Sequence, residues 1–209
     1  MVISITSPTG ICNMALSHIG AGSIESIDAD EPLAVQCRIW YDVCRRQVLE
    51  AFDWGFARRR QEMALHGDTI SETASDPLAG VWGFRYQYPA DAIVLRKIQN
   101  PNAPPDDSTP YTVETSLDGQ EKTILTNLEE AVAVYTFDLQ DTGMFSSLFI
   151  RALSHLIASS IGFSIEGKQK ITQQQGQAYQ LTLLGATAAN ANESVEPPPR
   201  EAESIRGRA

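Results

Sequence analysis

The spacing of apolar residues changes twice along this chain, and that change limits the folds open to it. Near both ends, apolar side chains recur every three or four residues, which is the period of a helix buried on one side. In the middle they alternate with polar residues, which is the period of a strand. Helices at the ends and strands between them predict the α+β class, in which helices and sheet are segregated.

Capping residues and apolar spacing predict two helices in the first third of the chain. Ser7 and Pro8 are typical of an N-cap and a first helical residue, and Gly20 is typical of the residue that ends a helix. A second helix is predicted from Pro32 to about Trp54, because apolar residues step by three or four along five turns.

The last third of the chain returns to the helical period. A broad apolar stripe that begins at Met144 and includes Ile157 predicts a third helix, which Glu166 and Gly167 break. A more polar fourth helix is predicted from Lys168 to about Asn192. Its apolar positions, which include Tyr179, are sparse. The segment from Glu193 onward contains three consecutive prolines, so we expect it to be extended.

The middle of the chain predicts one small antiparallel sheet. Residues from Phe84 to Tyr88 alternate between aromatic and polar, and a further strand is predicted over 131–137. Asp118 and Gly119 lie between two strand-like runs, which is a strong signal for a hairpin.

The two helical pairs are far apart in sequence, yet each has an apolar stripe to bury. We therefore expect the helices to pack together, with the sheet as an insertion between the pairs. The predicted fold is α+β, mainly α: a four-helix bundle with an inserted small antiparallel β-sheet and an extended C-terminal tail. The predicted parts are a helical bundle of residues 1–57 and 142–192, a β-rich insertion of residues 58–141, and a tail of residues 193–209.

The net charge of the chain makes some classes of function less favourable than others. Sixteen Lys and Arg against 26 Asp and Glu give a formal net charge of −10. This negative charge argues against a protein whose main function is to bind nucleic acid, since the affinity for phosphate groups comes from basic residues that displace counterions. Three cysteines are too few for a disulfide scaffold, and neither a secretory signal nor a membrane-spanning segment is predicted. We expect synthesis in a reducing cytoplasm.

The common catalytic and metal-binding motifs are missing from the sequence. Cys37 and Cys44 share a helix face but lie about 10 Å apart by helical rise, too far to hold one zinc ion. We therefore predict a protein without catalytic residues, cofactor or bound metal. Two alternatives stay open: a small cytoplasmic hydrolase that uses His18, His155 and nearby acids, and a monomeric binding module.

A basic run, Arg58, Arg59 and Arg60, stands out in this acidic chain. One interpretation is a solvated surface. Another is contact with carboxylates of a neighbouring protein, because the arginine fork suits bidentate pairing. Binding to DNA phosphates is a third.

Several short motifs follow one another in a characteristic order. They are Asn13-Met14-Ala15-Leu16 with Ile19-Gly20, then Trp54-Gly55-Phe56-Ala57, then the Tyr88-Pro89-Ala90-Asp91 turn, and then Phe149, Ala152-Leu153 and Leu156 on the late helix. In this order they resemble the head-to-tail adaptor proteins of tailed bacteriophages, also called tail tubular protein A or head-completion connectors. The resemblance extends to about residue 190.

The resemblance implies a helical bundle that carries a β-rich insertion. It also implies a virion protein without catalytic function, of which about a dozen copies form a ring beneath the portal. Such a ring extends the DNA channel and docks the tail nozzle or tube. A dozen copies would together carry a charge on the order of −120, so DNA would pass through the ring without binding specifically.

On this interpretation, some residues are expected to contact the portal or a neighbouring subunit. They lie in the basic run, on the fourth helix and in the tail. They are Arg58, Arg59, Arg60, Tyr179, Pro197, Pro198, Pro199, Arg200 and Ile205.

Overall fold

The fold is described from a computed structural model. The described residues are 4–67, 70, 78–103, 109–116, 118–166 and 169–192, with the side chains of 163–166 and 169 left aside. Their contacts divide the chain into two compact units. The helical unit comprises the described residues up to Ala57 and those from Asp138 to Asn192. The β unit runs from Arg58 to Phe137.

The helical unit contains four α-helices and two short 3-10 helices. They are α1 (Pro8–Ile19), α2 (Pro32–Ala51), a 3-10 turn (Gly55–Ala57), a second 3-10 turn (Thr142–Met144), α3 (Ser147–Glu166) and α4 (Gln169–Asn192). None of the helices within the described part of the chain is long and apolar enough to cross a membrane.

The ends predicted for α1 are confirmed in detail. The Ser7 hydroxyl accepts a hydrogen bond from the Gly10 N–H at 3.0 Å, and Pro8 occupies the first helical turn. Gly20 ends the helix with a φ of 74°, a left-handed conformation that a side chain disfavours. The start of α2 at Pro32 is confirmed as well.

The predicted four-helix bundle is wrong. In a bundle each helix packs against two neighbours, but here the main packing contacts of α1, α2 and α4 are all made with α3. The sequence of α3 explains this arrangement, because its mean hydropathy is the highest of the four and buried residues occur around most of its circumference. They are Phe149, Ile150, Ala152, Leu153, Ser154, His155, Leu156, Ile157, Ala158 and Ile161.

The described residues of the β unit form six strands in two antiparallel sheets, where the sequence predicted a single small sheet. The strands are β1 (Arg58–Glu62), β2 (Phe84–Gln87), β3 (Ala92–Gln99), β4 (Tyr111–Thr115), β5 (Lys122–Thr126) and β6 (Val132–Phe137). One sheet has the order β1-β6-β3 and the other the order β2-β5-β4. The expected hairpin joins β4 to β5, with Gly119 at a φ of 75°.

The β unit has a hydrophobic core of its own, so the sheets are more than an insertion in a bundle. Its buried residues come from both sheets and are Tyr86, Leu95, Ile98, Ile124, Ala131, Ala133 and Tyr135. Isolated bridges, Leu65 to Tyr86 and Ile98 to Thr109, connect the edge of one sheet to the other. The two sheets therefore share one core and are bridged at their edges.

Candidate interaction surfaces

The basic run forms the first three of the five residues of β1, which lies at the edge of its sheet. Arg59 lies opposite Tyr135 of β6 and forms an ion pair with the Asp91 carboxylate. Its guanidinium carbon also lies 3.9 Å from the centre of the Phe137 ring, a cation–π distance. Asp91 is the last residue of the Tyr88-Pro89-Ala90-Asp91 turn. A residue of this sequence motif therefore forms an ion pair with Arg59 of the same chain.

Tyr135 completes this group of polar side chains. Its hydroxyl lies 2.9 Å from Asp91 Oδ1 and 3.0 Å from Gln61 Oε1. Burial, followed by the hydrogen bond to Asp91, raises the pKa of Tyr135. The guanidinium group of Arg59 therefore has its partners, Asp91 and Phe137, within the β unit. Of the two other arginines, Arg60 is exposed and Arg58 is half-buried.

Helix α4 has one buried face and one face exposed to solvent. Tyr179 is only 6% exposed, and burial raises the pKa of its hydroxyl. The Tyr179 side chain therefore packs inside the helical unit and has little surface to offer a partner. On the outer face, Leu181 and Leu184 are 72% and 68% exposed.

The outer face of α4 is also almost free of charge. Gln177, Leu181, Leu184 and Ala188 follow one another at steps of four, three and four residues, so they share one stripe. The 24-residue sequence of the helix contains one charged residue, Lys170. Helical-wheel spacing could have identified this stripe, but it could not tell which side of a weakly amphipathic helix would be buried.

A second exposed apolar pair lies on α2. Ile39 and Val43 are one turn apart and are 55% and 53% exposed. The opposite side of α2 is buried through Ala34, Cys37 and Cys44. Among the described residues, exposed apolar side chains thus lie on α2 as well as on α4.

The histidines of the hydrolase alternative do come together. The rings of His18 and His155 stack with their centres 4.2 Å apart, and His155 Nδ1 lies 2.8 Å from Gln175 Oε1. Ser154 Oγ lies 3.2 Å from His18 Nε2 but donates its proton to the Arg151 carbonyl. Because Ser154 is fully buried, a substrate cannot reach its hydroxyl in this arrangement. The hydrolase stays an untested alternative.

Cys12, Cys37 and Cys44 are all buried. The neighbouring Cys37 thiol on α2, followed by burial, raises the pKa of the Cys12 thiol on α1. Sequence spacing had drawn attention to Cys37 and Cys44 instead. Within the described ranges, no group of three or more His, Cys, Asp or Glu residues is placed to hold a metal ion.

The remaining candidate contact residues belong to the tail. Pro197, Pro198, Pro199, Arg200 and Ile205 lie outside the described residues. Their predicted role in binding a portal or a neighbouring subunit stays a prediction.

Comparison with known proteins adds no relative: the chain matches no protein-family model, and it matches no curated protein. The likeness to phage adaptors therefore depends on the order of the short motifs quoted above.

Proposed function

We propose that this chain is a structural subunit of a tailed-phage head-to-tail adaptor. Copies of it would form a ring of about a dozen beneath the portal, extend the DNA channel and dock the tail nozzle. In this proposal the protein belongs to the neck of the virion and catalyses no reaction. The observation that carries the proposal is the uncharged outer face of α4 with Leu181 and Leu184 exposed.

The core of a protein–protein interface typically contains few charged residues. Surfaces that stay in water carry Lys, Glu and Asp, whereas the centre of a protein–protein interface is depleted of them. One fifth of this chain is charged, yet the outer stripe of α4 presents Gln177, Leu181, Leu184 and Ala188. The alternating steps of four and three residues suit packing against another helix.

A closed ring needs two different surfaces on each subunit. In a heterologous interface, one face of a subunit meets a different face of the next. The exposed pair Ile39 and Val43 on α2 supplies a second apolar stripe. We propose that the α4 stripe of one copy packs against the α2 stripe of its neighbour.

The net charge of −10 agrees with a channel through which DNA slides. A ring of such subunits repels phosphate groups, which lets the genome pass without being held. The ion pair between Arg59 and Asp91 removes one arginine from those that could bind DNA.

The proposal is tested by mixing the full-length chain with phage portal particles and recording electron micrographs. We expect added ring-shaped density for the wild type. The variant Leu181→Glu/Leu184→Glu should lose this density, because carboxylates would be desolvated at the interface. The matched control is Val81→Glu/Val113→Glu, which adds the same charge at exposed valines of the β unit.

Three results would contradict the proposal: no density with the wild type, unchanged density with the α4 variant, or equal loss with both variants. Circular dichroism of each variant separates loss of assembly from loss of folding.

A further inference from the structure

The helical unit contains a pocket that the proposed function does not use. Its volume is about 280 Å³, and its walls come from α2, from the first turn of α1 and from the segment between these two helices. Pro8 and Ile27 give the pocket an apolar side, and Gln140 lines it from the segment that precedes α3. The residues that line this pocket all belong to the helical unit.

One face of α2 supplies most of the polar groups of the pocket. Arg38, Tyr41, Asp42 and Arg45 line it, and they follow one another at the three- and four-residue steps of a single helix face. Nε of Arg45 lies 3.3 Å from Asp42 Oδ1, so these two charges offset each other. The other charged residues of the pocket are Arg38 and, on the segment before α2, Asp28.

The Tyr41 hydroxyl is the observation that points to a ligand. The side chain is only 7% exposed, and within the described part of the chain its hydroxyl has no hydrogen-bond partner. Burial and then Cys12 raise the pKa of Tyr41, whereas Arg45 lowers it. The hydroxyl therefore lies within electrostatic reach of Arg45, which lines the same pocket. A buried O–H group without an acceptor costs free energy, and an acceptor that enters the pocket removes this cost.

Two charges of the pocket also lack a partner of opposite sign. Among the described residues, neither Arg38 nor Asp28 forms an ion pair, although both line this pocket. The guanidinium of Arg38 donates to the Ile27 carbonyl at 3.4 Å, which directs it toward the segment that carries Asp28. A guanidinium binds a carboxylate, and a carboxylate binds an ammonium group. The pocket thus offers donors for an anion and an acceptor for a cation.

The geometry points to a binding site for a small zwitterion, a free amino acid with an aliphatic side chain. The Tyr41 hydroxyl and the Arg38 guanidinium donate to its carboxylate. Asp28 accepts from its ammonium group, and Pro8 and Ile27 contact its side chain. The volume lies just below the range of pockets that hold drug-sized molecules, about 300–1,000 Å³, as a smaller ligand requires. The site shares no residue with the proposed ring contacts, so it can be tested whether or not the proposed function holds.

L-Valine serves as the probe in titrations of the full-length protein. We expect about 10 mM L-valine to raise the midpoint of thermal unfolding by roughly 5 °C, as a dissociation constant of about 0.1 mM predicts. Two compounds each lack one charged group of L-valine: isovalerate lacks the ammonium group, and isobutylammonium lacks the carboxylate. Each should bind at least about tenfold more weakly. No rise with L-valine would overturn the proposal, and so would an equal rise with either compound.

The variant Tyr41→Phe tests the role of the hydroxyl. Without ligand, its unfolding midpoint should equal or exceed that of the wild type, because a buried donor without an acceptor is removed. Its affinity for L-valine, measured by calorimetry, should fall about tenfold. The matched control is Tyr111→Phe, which removes a hydroxyl that donates to the Arg96 carbonyl in the β unit and should leave the affinity unchanged.

Two results with Tyr41→Phe would contradict the proposal. Unchanged affinity for L-valine would show that the ligand binds elsewhere. A lower unfolding midpoint without ligand, together with no effect of L-valine on the wild type, would show that the hydroxyl binds an ordered water only.

Charge variants test the remaining contacts at exposed positions, where substitutions have little effect on folding. Arg38→Gln and Asp28→Asn should each weaken the binding of L-valine about tenfold. Asp28→Asn should also abolish the preference for L-valine over isovalerate, because the ammonium group then has no anionic partner. The matched controls are Arg46→Gln and Asp30→Asn, which change exposed charges outside the pocket and should leave binding intact. Equal weakening by the controls, or a preference retained in Asp28→Asn, would contradict the assignment.

Discussion

Arg45 illustrates how a charge is accommodated inside the helical unit. Its side chain is 2% exposed, and Nη1 lies 2.6 Å from Asp138 Oδ1. Nη1 also donates to the Leu139 carbonyl at 2.6 Å, and Nε lies 3.3 Å from Asp42 Oδ1. These contacts join α2 to the segment that leads into α3. A buried guanidinium is tolerated only where its donors are used in this way.

Replacing Arg45 by Met should therefore destabilise the protein by about 3 kcal/mol, because Asp138 loses the cation that it pairs with and the Leu139 carbonyl loses its buried donor. Arg46 provides a matched control on the same helix. It lies 3.5 Å from the other oxygen of Asp138 but is 56% exposed, so Arg46→Met should cost less than about 1 kcal/mol. Urea unfolding followed by circular dichroism measures both changes. Equal losses would show that Arg45 acts as an ordinary surface charge.

His18 makes the stability of the helical unit depend on pH. Burial, the stacked His155 and Arg151 all lower the pKa of His18 below its usual value of 6.5. A histidine with a lowered pKa binds its proton more readily in the unfolded chain. Its contribution to stability is therefore complete above about pH 6.5 and is lost as the pH falls through the lower, folded-state value.

We expect the urea midpoint of the wild type to fall between pH 7 and pH 5 more steeply than that of His18→Gln. Both proteins should be measured at several pH values in the same buffer series. Parallel profiles for the two would contradict the assignment of this pH dependence to His18.

At the scale of single elements, the ends of α1 were the most predictable feature. The hydroxyl of Ser7 accepts the Gly10 N–H, so Ser7→Ala should destabilise the protein by about 1 kcal/mol. Ser17 lies near the other end of the same helix, and its hydroxyl donates only to the Met14 carbonyl. Ser17→Ala should therefore change stability by less than about 0.5 kcal/mol. Thermal unfolding of the two variants measures the difference, and an equal effect would contradict the capping role.

The sequence predicted most helices and strands because their apolar periods are long and clear. It failed for β1, since Arg58, Arg59 and Arg60 form a charged run that neither strand propensity nor alternation favours. Edge strands often carry charge, because charged side chains discourage pairing with other chains. The partners that stabilise Arg59 are Asp91 and Phe137, more than 30 residues away in the sequence, and local patterns do not reveal them.

The sequence also did not reveal which helices pack against one another. A stripe on each of four helices is compatible with a bundle, but it is equally compatible with three helices packed around α3. The decision depends on α3, whose buried residues cover most of its surface. The same limit applies to α4, because the sequence did not reveal that the Tyr179 side chain is buried within the helical unit.

On the scale of the whole molecule, the two units differ in how the chain forms them. The described residues of the β unit lie between Arg58 and Phe137, whereas those of the helical unit come from two separated stretches of sequence. The core of the β unit comes from its own strands, with Ile124 and Tyr135 fully buried. By contrast, α1 and α2 pack mainly on α3, which lies in the second stretch.

This difference predicts opposite behaviour of two fragments. Residues 58–137 expressed alone should give a β-type circular dichroism spectrum and unfold cooperatively, because the fragment contains every side chain of its core. Residues 1–57 alone should lose most of their helicity, because the surface that buries α1 and α2 is missing.

Ile124→Ala is the control in the β fragment. It removes a fully buried side chain at a cost of about 3 kcal/mol, which a domain of this size can rarely spare, so it should abolish cooperative unfolding. A disordered 58–137 fragment, or a stably helical 1–57 fragment, would show that the two units do not fold as their contacts indicate.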